Sequence, residues 1–70
     1  MAEYMVDSSN LRCVDYDPWS GTLVIEFHGG RIYEFYHVPQ AVHAGLLHAS
    51  SHGQFFHQRI KDQYADRRVA

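Results

Sequence analysis

The chain has 70 residues, with six Lys+Arg against eight Asp+Glu and a formal net charge of −2. A chain of that size is one domain, expected over 1–70 with its core from about 6 to 64, and it buries only about 60% of its unfolded surface, so the core is small. The charge balance excludes a nucleic-acid binder driven by bulk positive charge. The single cysteine, Cys13, excludes an internal disulfide and fits a reducing compartment. No apolar run approaches the roughly 18 residues of a membrane span, and the N-terminus lacks a signal-peptide pattern. The expectation is a cytoplasmic protein with no membrane partner.

In chain order, Tyr4–Val6 either adds an edge strand or is disordered, and the polar run Asp7-Ser8-Ser9-Asn10 reads as a turn. Leu11–Asp17 is the first core strand, followed by the punctuated loop Asp17-Pro18-Trp19-Ser20-Gly21. Thr22–Phe27 alternates Leu23, Ile25 and Phe27 against Thr22, Val24 and Glu26, the period of a strand with one buried face. A loop across Asp17–Gly21 sets Tyr16 opposite Thr22, Val14 opposite Val24, Cys13 opposite Ile25, Arg12 opposite Glu26 and Leu11 opposite Phe27. That register matches charge with charge and apolar with apolar, with Asp15 opposite Leu23 as its misfit.

The next arm, Arg31–His37, is rich in β-branched and aromatic residues. A turn of His28, Gly29 and Gly30 sets Ile25 opposite Tyr33 and Leu23 opposite Phe35, and it needs a left-handed last residue, which Gly30 supplies. Pro39 opens a helix in which Val38, Val42, Leu46 and Ala49 keep helical spacing. Gly45 either weakens that helix or lets another element approach closely. Ser51 and Gln54 fit a capping box for a second helix, with Phe56, Ile60 and Tyr64 on one stripe and an end near Tyr64. Residues 65–70 are expected to fray. The fold expected is α+β: a small, strongly bent antiparallel meander of three or four strands, then two helices over one face.

These residues resemble a known family. Ser8-Ser9-Asn10-Leu11, Tyr16-Asp17, Leu23 to Phe27, Gly30-x-x-Tyr33-x-Phe35-x-x-Val38-Pro39, and Ala49-x-Ser51-x-Gly53-x-Phe55-Phe56 followed by Ile60 and Tyr64 look like the KTSC family. That family is named for a short domain at the C-terminus of some lysyl-tRNA synthetases and also occurs as stand-alone bacterial proteins. The resemblance implies no assigned activity; it carries a suggestion of RNA binding through the synthetase connection. Two positions depart from the pattern. Phe35 stands where the family's central Tyr-x-Tyr has its second hydroxyl, and Asp15 stands where a small residue is usual. A short bent sheet is also similar to Sm-like and SH3-like small barrels, an analogy of fold alone.

The chemistry-bearing residues weigh towards binding. The six histidines form no His-Glu-x-x-His pattern and no paired ligand spacing, so no metal or cofactor is expected. Cys13, read on the core face, is a small buried hydrophobe. Asp15 and Asp17 belong to turn chemistry. Gly29-Gly30 is a turn and no phosphate loop. Tyr33, Phe35, Phe55 and Phe56 are core by periodicity. Arg59, Lys61, Arg67 and Arg68 sit at a helix C-terminus and a solvated tail.

Tyr16, Trp19 and Tyr36, read on the mixed sheet face or in a loop, are better stacking candidates, with Arg12 and Arg31 near them for phosphates. The function expected is a small non-catalytic binding module whose partner is single-stranded RNA. The alternative is a structural module acting as a homo-oligomer through an apolar stripe of Val14, Val24, Ile32 and Tyr36.

Overall fold

The computed structural model of the chain describes residues 2–5, as backbone, and residues 10–70. Among the described residues seven elements follow one another: β1 (Ala2–Met5), β2 (Leu11–Asp17), β3 (Thr22–Phe27), β4 (Ile32–Phe35), α1 (Gln40–His48), α2 (His52–Arg59) and β5 (Asp66–Arg68). The five strands form one antiparallel sheet in the order β1-β2-β3-β4-β5. This is the expected meander followed by two helices, with a further strand returning to the sheet. Among the described residues no pairing joins β1 to β5, so the sheet is an open meander. Tyr4 and Met5 belong to the edge strand β1, while Val6 and the turn expected at Asp7–Ser9 lie outside the described residues.

The β3–β4 hairpin has the expected register. Ile25 faces Tyr33 and Leu23 faces Phe35, and the Phe27 N–H donates to the Arg31 carbonyl at 2.8 Å across the turn. Gly30 sits at φ 91°, a conformation that costs an L side chain strain.

The β2–β3 register differs by one residue from the expected one. Asp17 faces Thr22, Tyr16 faces Leu23, Val14 faces Ile25 and Cys13 faces Glu26. The turn closes earlier than read, because the Asp17 carbonyl accepts from the Gly21 N–H at 2.8 Å and its carboxylate accepts from the Trp19 N–H at 2.9 Å. A slip of one residue reverses a strand's faces. Val14 and Tyr16 therefore enter the core, while Cys13, though buried, turns to the opposite face and lies outside the core cluster. A bulge between Leu11 and Cys13 then restores Leu11 opposite Phe27, so both core ends of the strand are kept. Asp15 now faces Val24 in place of Leu23, still an apolar neighbour, and its Oδ1 is buried and unpartnered.

On the core face Leu11, Val14, Tyr16, Leu23, Ile25, Phe27 and Phe35 meet Val38, Leu46, Phe56 and Ile60 from the helical half. Pro39 caps α1, its carbonyl accepting from Val42 N–H at 3.0 Å. The Ser51 hydroxyl caps α2 by accepting from Gln54 N–H at 3.1 Å. The two helices cross at Gly45, where an added Cβ would lie 2.8 Å from the Phe55 ring, so close approach is what this glycine provides.

Two C-terminal expectations are corrected. The second helix ends at Arg59, not near Tyr64: the Lys61 N–H reaches back to the Phe56 carbonyl at 2.9 Å, and Asp62 adopts φ 61°, which stops a right-handed helix. Ile60 and Tyr64 still pack on the core. The tail does not fray. Tyr36 N–H donates to the Ala65 carbonyl at 2.9 Å and Val69 N–H to the Ile32 carbonyl at 2.8 Å, so β5 covers the edge that β4 would otherwise leave unpaired.

Candidate functional site

The five residues expected to bind RNA do not form one surface. Arg12 and Arg31 lie at the end of the sheet that carries the His28–Gly30 turn, where the His28 N–H donates to the Asn10 carbonyl. Tyr16 and Trp19 lie towards the other end, four or more residues along at about 3.3 Å each. Arg12 is half-exposed, with its guanidinium 2.7 Å from Glu26 on the sheet face away from the helices. Arg31 is exposed with its guanidinium over the Phe27 ring, 5.4 Å from the centroid. Tyr16 is only 6% exposed; its hydroxyl donates to the Val38 carbonyl at 2.6 Å and its ring stacks on His43, centroids 4.5 Å apart. The corrected register is the reason it leaves the mixed face. Trp19 is 96% exposed at the tip of the β2–β3 loop. Tyr36 is half-buried, with its hydroxyl donating to Glu34 at 2.8 Å.

The face away from the helices is a field of ion pairs. Arg12 meets Glu26, and Arg67 meets Glu34 at 3.4 Å. Arg12 and the Cys13 thiol, which donates at 3.4 Å, hold the Glu26 carboxyl below the ordinary range. The hydrogen bond to Glu34 holds the Tyr36 phenol above its own. Val14, expected in this face's apolar stripe, is in the core. Val24 and Ile32 remain, half-buried around a hollow of ≈ 100 Å³ that Asp15 and Cys13 also line.

The larger concavity lies on the other side, where the β3–β4 hairpin meets the end of α2 and the start of β5. It has a volume of ≈ 390 Å³ and a floor of Phe27, Tyr33, Phe35 and Phe56. The floor is a continuous aromatic cluster: Phe27 meets Tyr33 edge-on at 5.9 Å, Phe27 meets Phe56 at 5.2 Å, and Phe35 meets Phe56 at 5.6 Å. Phe27, Phe35 and Phe56 are almost wholly buried, so Tyr33, half-buried, is the ring with surface to offer. The rim carries Arg31, Lys61 and His57, with Asp62, Asp66 and Asn10 completing it. Aromatic faces beside cations suit a planar ligand with an anionic group.

Of the residues lining this cleft only Arg31 belongs to the expected site. Periodicity assigns Tyr33, Phe35 and Phe56 to the core; the two phenylalanines are in it, and Tyr33 packs against it half-buried. Lys61 had been read as a solvated helix end, and nothing in a linear pattern shows that the α2 turn closes over the hairpin.

The histidines are dispersed. His43 stacks on Tyr16 with its Nε2 buried and unpartnered, and burial pushes its pKa down against a smaller upward pull from Asp15. His52 Nδ1 lies 2.8 Å from the Leu46 carbonyl, at the end of α1. Among the described residues no three His, Cys, Asp or Glu side chains gather to hold a metal, and no helix is long and apolar enough to cross a membrane.

A five-stranded meander carrying two helices on one face, with an aromatic-floored cleft at their junction, defines a small α+β domain. The KTSC domain model matches residues 7–64, and the chain belongs to that family. It is 41% identical over 58 residues to a lysine–tRNA ligase of Nostoc sp., a match covering 83% of this chain and 10% of the ligase, so the chain spans about a tenth of that relative's length. It is 39% identical over 64 residues to an uncharacterized protein of Stutzerimonas stutzeri, covering 91% of this chain and 90% of that one. The crystal structure of a KTSC domain protein from Yersinia pestis superposes with a TM-score of 0.92 at 31% identity, covering 99% of this chain and 97% of that one.

Proposed function

We propose that the chain is a non-catalytic, cytoplasmic RNA-binding module that holds single-stranded RNA in the cleft between the β3–β4 hairpin and the end of α2. The observation that carries this is the convergence of the half-buried Tyr33 ring with Arg31 and Lys61 in one concavity. Stacking needs the accessible ring and phosphate binding the two cations. The kinship with segments of lysine–tRNA ligases supports RNA as the ligand class. The site keeps Arg31 from the expected set and replaces Tyr16, which the core consumes; Arg12, Trp19 and Tyr36 fall outside it. With a net charge of −2 there is no long-range attraction, so affinity is weak and local.

An NMR titration with short random RNA at two salt concentrations tests this. The expected shifts cluster at Arg31, Tyr33 and Lys61, and two phosphate contacts give a salt slope of about −1.4 on logarithmic axes. Shifts that follow protein concentration alone, at Val24 and Ile32, would reject it and favour the second reading. In that reading two copies pair through the opposite face, where those half-buried side chains lie diagonally across β3 and β4.

A further inference from the structure

The cleft is polar along its length as well as lined with aromatics. Arg31 stands at the start of β4, beside the hairpin turn, while Asp66 pairs with Phe35 at the other end of that strand. Four residue steps separate the two, about 13 Å along the strand. Lys61 and Asp62, adjacent in the turn after α2, lie across the same opening. The concavity therefore offers the Arg31 cation at one end and the Asp66 carboxylate towards the other, with Lys61 and Asp62 across the opening and the half-buried Tyr33 ring on the floor. Its ≈ 390 Å³ lies near the lower limit of small-molecule sites, about 300 to 1,000 Å³, the scale of a single nucleotide.

We propose that the cleft takes a single RNA nucleotide, its phosphate at Arg31 and Lys61, its base on Tyr33, and an exocyclic amine of the base at Asp62 or Asp66. The proposal rests on the RNA reading above and adds stoichiometry and base preference to it. Ionised carboxylates only accept hydrogen bonds. Adenine and cytosine carry an amine where uracil carries a carbonyl, so the acidic end accepts the first two and repels the third. The same carboxylates keep the cleft from acting as a general anion site, because a bare phosphate meets like charge with no amine to compensate. A nucleotide satisfies both ends at once.

Titrations of the isotope-labelled chain with adenosine, cytidine and uridine 5′-monophosphates, ribose 5-phosphate and a short oligoribonucleotide test this. The adenosine and cytidine nucleotides are expected to shift Arg31, Tyr33 and Lys61. They are also expected to bind about three- to tenfold more tightly than the uridine nucleotide or the sugar phosphate. Lys61→Ala, at an exposed position, is expected to weaken every nucleotide by about tenfold. Asp66→Asn and Asp62→Asn are expected to erase the preference over uridine, since an amide also donates; asparagine tolerates the left-handed backbone of Asp62. Tyr33→Leu keeps apolar volume in the floor and is expected to lose the stacking contribution.

An oligoribonucleotide that binds while no mononucleotide shifts the cleft would overturn the single-nucleotide site and leave the RNA reading standing. Equal binding of uridine and adenosine nucleotides would overturn the role of the two aspartates. Mononucleotide binding without oligonucleotide binding would sink the RNA reading and keep the nucleotide site. Silence from every ligand would overturn both.

Discussion

Tyr16 ties the sheet to the helical half through Val38 and His43, and His43 shows what that placement costs. The Tyr16 ring is buried in the core and its hydroxyl donates to the Val38 carbonyl. Its exposed-looking context, next to Asp15 and Asp17, concealed this. His43 from α1 covers the ring with a buried, unpartnered Nε2. Burial lowers the His43 pKa, outweighing the pull of Asp15, so the folded state prefers the neutral imidazole. The stabilising contribution is fully present above the ordinary histidine value and is lost as pH falls through the lowered one, because the unfolded chain takes up the proton first. His43→Phe keeps a ring on Tyr16 and removes the titration. Between about pH 7.5 and about pH 5.5, which spans the ordinary histidine value, its melting temperature should fall less than that of the parent chain. Equal falls in the two proteins would show that the buried nitrogen is not paying this penalty.

At the scale of elements, the hairpin register was legible because turn length and glycine chemistry fix it locally. The β2–β3 register was not: two loop lengths give plausible pairings, and the choice was made by the Asp17 carboxylate and carbonyl closing the turn. Pairing Arg12 with Glu26 suited the wrong register, and the bulge preserves that contact in the right one. β5 was illegible for a different reason. Asp66, Arg67 and Arg68 are all exposed and show no alternation, since the strand is held by backbone bonds to β4 and not by buried side chains. The two-way reading of Gly45 resolves to close approach. Gly45→Ala should raise helix propensity by about 1 kcal/mol but force the Phe55 ring aside, at about 1–3 kcal/mol, for a net loss in urea melts. In a Phe55→Ala background the same substitution should become stabilising. A gain from Gly45→Ala in the parent chain would mean the ring yields freely and the helices are not locked there.

At the scale of the molecule, periodicity identified the apolar positions of the core well, because a chain this short has room for one layer of contacts between sheet and helices. Leu23, Ile25, Phe27, Phe35, Val38, Leu46, Phe56 and Ile60 all sit where their spacing put them. Ile25 is wholly buried, so Ile25→Ala should cost about 2–5 kcal/mol, whereas His57→Ala on the cleft rim should stay within about 0.5 kcal/mol; chemical denaturation that reversed this order would displace the core. The candidate site was far less legible than the core. Its rim comes from a hairpin, a helix end and a returning strand that are distant in sequence, and its one accessible aromatic shares its periodicity with the buried ones.

The central claim is that RNA lies against Tyr33 and Arg31, and ultraviolet cross-linking of the chain to a short oligoribonucleotide, read by peptide mass spectrometry, tests it most directly. Adducts are expected on Tyr33 and its neighbours in the cleft, diminished in a Lys61→Ala variant. Adducts confined to Trp19 or Tyr36, outside the cleft, would contradict it.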